Sequence, residues 1–263
     1  MIIKPLEKEY TVVELRTTTL ESSLYPHKFE QENPLRARTT TLCWHIFEEC
    51  VNAAIIDKLW WTFMCEQQLK RLEKMDWLVE KWPTWNEYTD VKFLKYKLQN
   101  AFPVAIALEY YKDVMSTQMS LWRWIECGKY LVYLSWTLDH LTLDNKIYDV
   151  KYYSSEFWEN YEEHHDEFTI NNKAGSKLSN KIQWYVYPRL LQSDDKEITF
   201  QYHLYKKSKN APTEKKPDEH LKRTVYNCKV DIELAEKQIK HDIIEYFTLC
   251  RNHNVKPGER VER

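Results

Sequence analysis

The scarcity of glycine is the feature that most limits what this chain can fold into. Only three glycines, Gly128, Gly175 and Gly258, occur in 263 residues. Loops that cradle phosphates need glycines, because their backbone takes positive φ angles and approaches the ligand closely. Neither GxGxxG nor GxxxxGK[ST] can be written in this sequence, and the nucleophile elbow GxSxG is absent as well. We therefore expect no nucleotide cofactor and no hydrolase of that type.

The charge balance argues against a polyanionic partner. The chain has 38 basic and 40 acidic side chains, which gives a formal net charge of −2. A phosphate backbone is usually attracted by a basic patch or a basic net charge, so nucleic-acid binding is not expected. Hydrophobic residues make up 43% of the chain and aromatic residues 14%, which is ample for a buried core in one large domain or two ordinary ones.

The cysteines and the apolar runs bear on the compartment. Six cysteines occur, at positions 43, 50, 65, 127, 228 and 250, and none forms a CxxC pair. The first residues, MIIKPLEKEYTVVEL, lack an apolar run of signal length, and no segment approaches 18 uninterrupted apolar residues. We therefore predict a cytoplasmic or nuclear protein with free thiols and no membrane partner.

The first half of the chain has helical periodicity after a mixed start over residues 1–40. Apolar residues recur at steps of three and four between about 41 and 80, and further helices are predicted over 86–100 and 103–128. Pro103 suits the first turn of the third helix, and Gly128 suits the position just after its end. We predict an aromatic-rich helical unit of about three helices within residues 1–128.

After Gly128 the period shifts towards two. Five segments rich in Val, Ile, Tyr and Trp are predicted as strands: 130–138, 146–158, 181–188, 197–205 and 221–232. A closing helix, ELAEKQIKHDIIEYFTLCRN, has one apolar face formed by Leu234, Ile239, Ile243, Ile244 and Phe247. The predicted fold is α+β: the helical unit packs against an antiparallel β-sandwich-like unit, residues 129–263, that ends in a helix.

The strand sequences carry a family resemblance. SWTLDHLTLDNKIYDVKYYSSEF (135–157), NKIQWYVYP (180–188) and EITFQYHLYKK (197–207) stand in order along the chain. Together they resemble the first half of a MATH (TRAF-like) domain of the speckle-type POZ proteins, over residues 130–232. The resemblance rests on the aromatic and serine residues of these strands, notably Trp184 with Tyr187 and Pro188.

The resemblance implies a non-catalytic module that binds short peptide segments by strand addition. It implies an adaptor or scaffold role, such as substrate recruitment to a ubiquitin ligase. When its strands are matched one by one, the resemblance implies that Tyr202 and Tyr226 are the peptide-binding positions. Tyr202 is expected to point outwards, and Trp184 is expected to lie inside the core. The family's later strands have no match, because the terminal helix stands in their place.

Other polar clusters point to no chemistry. EEHHDE (162–167) places two histidines among four carboxylates, but a contiguous run rarely supplies ligands that converge from a fixed frame. We interpret it as a solvated acidic loop and predict no metal and no catalytic site.

The tryptophans leave apolar area that either packs the helical unit against the β unit or buries a second subunit. Trp60 and Trp61, like Trp122 and Trp124, cannot each point to one face of a helix. The function predicted from the sequence is therefore protein interaction. The alternative is a structural or assembly protein, such as a viral or occlusion-type component, that forms homo-oligomers through aromatic surfaces.

Overall fold

The computed structural model describes residues 9–25, 34–56, 64–71, 94–96, 98–154, 167–168, 182–191, 193–207 and 223–262. Within them the strands are β1 (Thr11–Arg16), β2 (Val114–Cys127), β3 (Tyr130–Thr142), β4 (Ile147–Ser154), β5 (Glu167–Phe168), β6 (Glu197–Lys207) and β7 (Arg223–Asp231). The helices are α1 (Thr17–Leu24), α2 (Pro34–Ile56), α3 (Phe102–Tyr110), α4 (Gln183–Leu190) and α5 (Ile232–Asn252), and residues 64–71 are helical as well.

The described strands form one mixed sheet in the order β1-β3-β4-β6-β7-β5, with β2 paired to β3. Antiparallel pairs join β2 to β3, β3 to β4 and β6 to β7, whereas β1–β3, β4–β6 and β5–β7 are parallel. Strand β3 pairs with three other strands: with β2 along its whole length, and with β1 and β4 at different positions. A second sheet facing this one, which a sandwich requires, is not among the described strands.

Helices pack on both faces of the sheet. A larger core joins the sheet to α1, α4 and α5, and a smaller one joins it to α2 and α3. Strand β4 shows the division, because Ile147 belongs to the larger core and its neighbour Tyr148 to the smaller one. Successive side chains of a strand point to opposite faces, so the sheet lies between the two cores.

The predicted helix over 103–128 is only partly correct. Helix α3 ends at Tyr110, and residues 114–127 form strand β2 instead. Leu121, Ile125 and Cys127 are buried while residues 122, 124 and 126 are exposed, a strand-like alternation. Gly128, predicted just after a helix end, has φ +61° in the two-residue turn between β2 and β3. The predicted boundary at 128/129 therefore falls inside a hairpin, so both segments contribute to one sheet.

The predicted strand over 181–188 is wrong. Residues 183–190 form helix α4, and all of them except Arg189 are buried. A short apolar run that is buried on every side has no polar face, so its periodicity cannot separate a strand from a helix. The other strand predictions from residue 130 onwards overlap β3, β4, β6 and β7.

The closing helix is confirmed as α5. The carboxylate of Asp231 caps it by accepting a hydrogen bond from the Leu234 backbone N–H, at 2.9 Å. Ile239, Ile243 and Phe247 are buried as predicted, but Ile244 is 57% exposed, so the prediction for that residue is wrong. No helix in the described part of the chain is long and apolar enough to cross a membrane.

Candidate functional site

Charged side chains from three separate elements, and a tyrosine from a fourth, interact electrostatically beside β3 and β4. Glu48 comes from α2, Asp139 from β3, Asp149 and Lys151 from β4, and Tyr187 from α4. We call these five residues the acidic site. Burying several charges together costs free energy unless the charges are paired, and such an arrangement marks a candidate functional site.

Short polar contacts hold two of the carboxylates in place. Asp139 Oδ2 accepts a hydrogen bond of 2.8 Å from the Val150 backbone N–H, which ties β3 to β4 beyond their short ladder. Lys151 Nζ lies 2.7 Å from Asp149 Oδ2. The Asp149 side chain is 2% exposed and that of Lys151 is 30% exposed, so this ion pair reaches from the interior towards solvent.

The carboxylates raise one another's affinity for protons. Burial raises the pKa of Asp139 well above its ordinary range, and the charges of Asp149 and Glu48 raise it further. Burial also raises the pKa of Glu48 to about 6, with Lys151 opposing and Asp149 adding to that rise. Burial alone would lower the pKa of Lys151, but Asp149 and Asp139 raise it overall, so the lysine is a cation at neutral pH.

Helix α4 adds polar atoms that lack partners. The hydroxyl of Tyr187, which is fully buried, and Oε1 of Gln183, a residue 8% exposed, have no hydrogen-bond partner among the described residues. The two residues are one helical turn apart, so they share a face of α4. Burial raises the pKa of Tyr187 well above its usual range, followed by the charges of Asp149 and Asp139, which places the hydroxyl near the acidic site. Orphaned buried polar atoms are rare, and each calls for an explanation such as an ordered water, an ion or a ligand.

Packing and polar anchors fix the position of α4. The Tyr187 ring stacks on Trp136 of β3 at 5.6 Å between centroids and meets Phe200 of β6 edge-on at 5.9 Å. At the helix start, the Ile182 backbone N–H donates to Glu21 Oε2 at 3.0 Å. The hydroxyl of Tyr185 donates to Asp242 of α5 through a short hydrogen bond. Tyr187 is therefore held rigidly, as a ligand-orienting side chain must be.

The acidic site differs from a preassembled metal centre. No three His, Cys, Asp or Glu side chains in the described ranges are arranged to hold a metal ion by themselves. Magnesium, however, is usually bound through one or two carboxylates together with waters and substrate phosphates, and not by an all-protein cage. Asp139 and Asp149 supply two hard oxygen ligands of that kind, so the residues fit a cation shared with a substrate.

The predicted peptide-binding residues lie in the interior. Tyr202 of β6 is fully buried and Tyr226 of β7 is 5% exposed, so the predicted outward orientation of Tyr202 is wrong. The two tyrosines are partners across the β6–β7 ladder, and Tyr202 is also in register with Asp149 of β4. Peptide binding at these two residues stays a prediction, and neither residue has the exposed surface that peptide binding requires. Trp184 is fully buried, which confirms its predicted place in the core.

None of the five residues of the acidic site was predicted from the sequence to be functional. The available signal was local: Asp139, Asp149 and Lys151 are charged residues inside segments otherwise typical of buried strands. No local sequence pattern marked Glu48 or Tyr187 as a functional residue. The predicted acidic loop EEHHDE lies outside the described residues except for Glu167.

An exposed aromatic surface lies on the β2–β3 hairpin. Trp122 and Trp124 are each 46% exposed, and both pack against Tyr133, with ring centroids 5.6 and 5.1 Å apart. The prediction that tryptophan area remains uncovered holds for these two residues within the described structure. The other tryptophans of that prediction, Trp60 and Trp61, lie outside the described residues.

Comparison with known proteins gives little. No family model matches the chain, and no curated protein matches it. A solved structure titled "Crystal structure of SSO0001" aligns with 68% of this chain and 70% of that chain, at 13% sequence identity and a TM-score of 0.35. A likeness this weak carries no argument about fold or function, and the resemblance to MATH domains stays a prediction.

Proposed function

We propose that this protein hydrolyses a phosphate ester with the help of a divalent cation, and that the ester is a phosphodiester of a nucleic acid. The observation that carries the proposal is the acidic site itself. Three carboxylates, a lysine cation and a buried tyrosine hydroxyl without a partner among the described residues come together from four elements. This arrangement is costly for folding and is explained by chemistry on an anionic substrate.

A divalent cation would supply Lewis acidity, polarising the phosphoryl oxygens and favouring deprotonation of the attacking water. Asp139 and Asp149 would hold it, and its charge would relieve the repulsion between their carboxylates. The remaining steps are carried out by the protein's own side chains. Lys151 stabilises the negative charge that grows on the phosphoryl oxygens. Glu48 accepts the proton of the water as the water oxygen bonds to phosphorus and the ester P–O bond breaks. The departing oxygen then takes a proton from solvent.

Tyr187 and Gln183 complete the substrate side of the site. In this proposal the Tyr187 O–H donates a hydrogen bond to a phosphate oxygen, and Gln183 Oε1 accepts one from a donor on the ligand. Both atoms are buried and held on one rigid helix, so they need little reorganisation when a ligand arrives.

The exposed aromatic surface favours a nucleic acid over a small phosphate ester. Trp122, Trp124 and Tyr133 offer ring faces of the kind on which unpaired bases stack. Tyr133 precedes Asp139 by six residues on the same strand, which corresponds to about 20 Å. The net charge of −2 opposes binding at long range, but the cation and Lys151 neutralise the phosphate where it binds.

The test is hydrolysis of labelled single-stranded DNA and RNA, and of bis(p-nitrophenyl) phosphate, with Mg²⁺ or Mn²⁺ and with excess EDTA. We expect cleavage only with the cation, and a loss in Asp149→Asn on the order of 10²- to 10³-fold in kcat/KM.

The chain offers a matched control. Asp144 pairs with Lys146 at the same spacing and the same 2.7 Å distance, but its side chain is 56% exposed. Asp144→Asn should cleave like the unaltered protein. Cleavage that persists in EDTA, or full activity in Asp149→Asn, would contradict the proposal.

Protein interaction is a second candidate function, favoured by the exposed Trp122 and Trp124. In this alternative the same surface binds a second copy or a protein partner, as an adaptor or an assembly protein would. Light scattering over a dilution series tests self-association, which Trp122→Ser with Trp124→Ser should abolish. A monomer at every concentration would argue against an assembly role.

A further inference from the structure

Gln118 has an unusual backbone conformation in the middle of β2. Its φ is +51°, in the left-handed region that residues other than glycine rarely occupy, at a cost of about 1–2 kcal/mol. The β2–β3 ladder passes from Thr117–His140 to Met119–Leu138 and skips the position where Gln118 and Asp139 face each other. The irregularity therefore lies directly opposite a carboxylate of the acidic site.

The side chain of Gln118 reaches another member of the same site. Its Nε2 donates a hydrogen bond of 2.8 Å to Glu48 Oε1. Glu48 belongs to α2, 70 residues earlier in the chain, and its carboxylate interacts electrostatically with Lys151 and Asp149. Gln118, which is exposed and strained, thus links strand β2 to helix α2, which carries Glu48.

We propose that Gln118 is a positioning residue that holds the Glu48 carboxylate towards Asp139 and Asp149, so that Glu48 accepts hydrogen bonds from the waters of a bound divalent cation. This inference rests on the proposed function.

Two observations support it independently of the acidic residues. The buried hydroxyl of Tyr187 has no partner in the described structure and marks the place as one that receives a ligand. The backbone of Gln118 is strained at φ +51°, and such strain concentrates at functional sites. Magnesium and manganese keep several bound waters in protein sites. A carboxylate that accepts a hydrogen bond from one of these waters therefore helps to hold the ion.

The test measures Mn²⁺ binding to the substrate-free protein by the electron paramagnetic resonance signal of the free ion. Gln118→Gly removes the amide and relieves the strained φ, whereas Gln118→Asn keeps an amide on a residue that tolerates the left-handed region. We expect Gln118→Gly to weaken Mn²⁺ binding about 10- to 100-fold without lowering the thermal midpoint. Gln118→Asn should recover part of that loss.

A double-mutant cycle separates positioning from unrelated effects. Glu48→Gln should weaken Mn²⁺ binding by a similar factor, and adding Gln118→Gly to it should cause little further loss, because Gln118 acts through Glu48. Additive losses, or unchanged Mn²⁺ binding in Gln118→Gly, would overturn the positioning role while leaving the proposed function intact. Failure of the substrate-free protein to bind Mn²⁺ would overturn the positioning role, whereas the cleavage assay with and without EDTA tests the proposed function separately.

Discussion

Two polar clusters on the same sheet, one fully buried and one partly buried, differ in how their hydrogen bonds are satisfied. One is the acidic site. The other, which we call the tyrosine–histidine cluster, comprises Tyr111, His140, His203 and Tyr205 and packs with α2 and α3. The comparison separates polar residues that stabilise the fold from polar residues that await a ligand.

The tyrosine–histidine cluster is closed by its own contacts. The Tyr111 hydroxyl bonds both to that of Tyr205, at 2.9 Å, and to His203 Nδ1, at 3.1 Å. His203 Nε2 donates to Gln201 Oε1 at 2.9 Å, and the imidazoles of His140 and His203 stack on the Tyr111 ring. Every side-chain polar group of the cluster except His140 Nδ1 has a hydrogen-bond partner, and such a buried network stabilises a unique core.

The acidic site has the opposite character. Its carboxylates raise one another's pKa, and the hydroxyl of Tyr187 has no partner among the described residues. A fold gains nothing from such an arrangement, so an external partner is the physical reason we give for it. Three predictions test this contrast, beginning with the largest expected effect on stability.

The first prediction concerns Tyr111→Phe. Removing the hydroxyl leaves the buried groups of Tyr205 and His203 each without one hydrogen bond, so we expect a loss of about 1–3 kcal/mol in the free energy of unfolding. Urea denaturation measures it. Tyr133→Phe on the exposed aromatic surface is the control and should stay within about 0.5 kcal/mol of the unaltered protein. An equal effect of both substitutions would remove the distinction between buried network and surface.

The second prediction concerns acid. Burial lowers the pKa of His140 to about 3, and burial followed by the charge of Arg223 lowers that of His203 well below its ordinary value. The unfolded chain therefore binds more protons than the folded chain below about pH 6.5, and stability is lost as the pH falls. Between about pH 7.5 and 5.5 we expect a loss of roughly 1.4 kcal/mol per histidine.

Urea titrations at the two pH values measure this dependence. His140→Gln should remove about half of the slope, because one buried neutral imidazole remains. A slope that does not change in this variant would mean that other groups control the acid response.

The third prediction concerns Tyr187→Phe, the counterpart of Tyr111→Phe in the acidic site. The hydroxyl that is removed has no partner in the described structure and is costly to bury, so the free energy of unfolding should not fall and should rise by about 1 kcal/mol or less. If the proposed function holds, kcat/KM should fall on the order of tenfold to a hundredfold. A large loss of stability with no change in activity would place Tyr187 among the structural tyrosines instead.

Sequence patterns predicted the elements that have one polar and one buried face. Helix α5 was recognised because apolar residues such as Ile239 and Ile243 recur at helical spacing between charged ones. Strands β3, β6 and β7 were recognised from alternation. Helix α4 and strand β2 were assigned to the wrong class, because α4 is buried all round and β2 carries tryptophans on its exposed face.

The acidic site was beyond prediction from local pattern. Its members span from Glu48 to Tyr187, and they come near one another only because α2 and α4 pack on opposite faces of the sheet at β3 and β4. Asp144 and Asp149 show the limit of spacing, since each stands two residues before a lysine at the same 2.7 Å, yet one pair is exposed and the other largely buried.

The sequence by itself determined several properties of this protein. They are the absence of glycine-rich phosphate loops, the α+β composition, the strands after Gly128 and the closing helix, because each follows from residue type or from the period of one segment. The tertiary structure alone decided that the sheet is mixed and covered on both faces, that Tyr202 and Tyr226 are buried, and that three carboxylates and Lys151 share one site. The reason is physical: local periodicity reports which face of an element is buried, whereas the partner of that face is chosen by long-range packing.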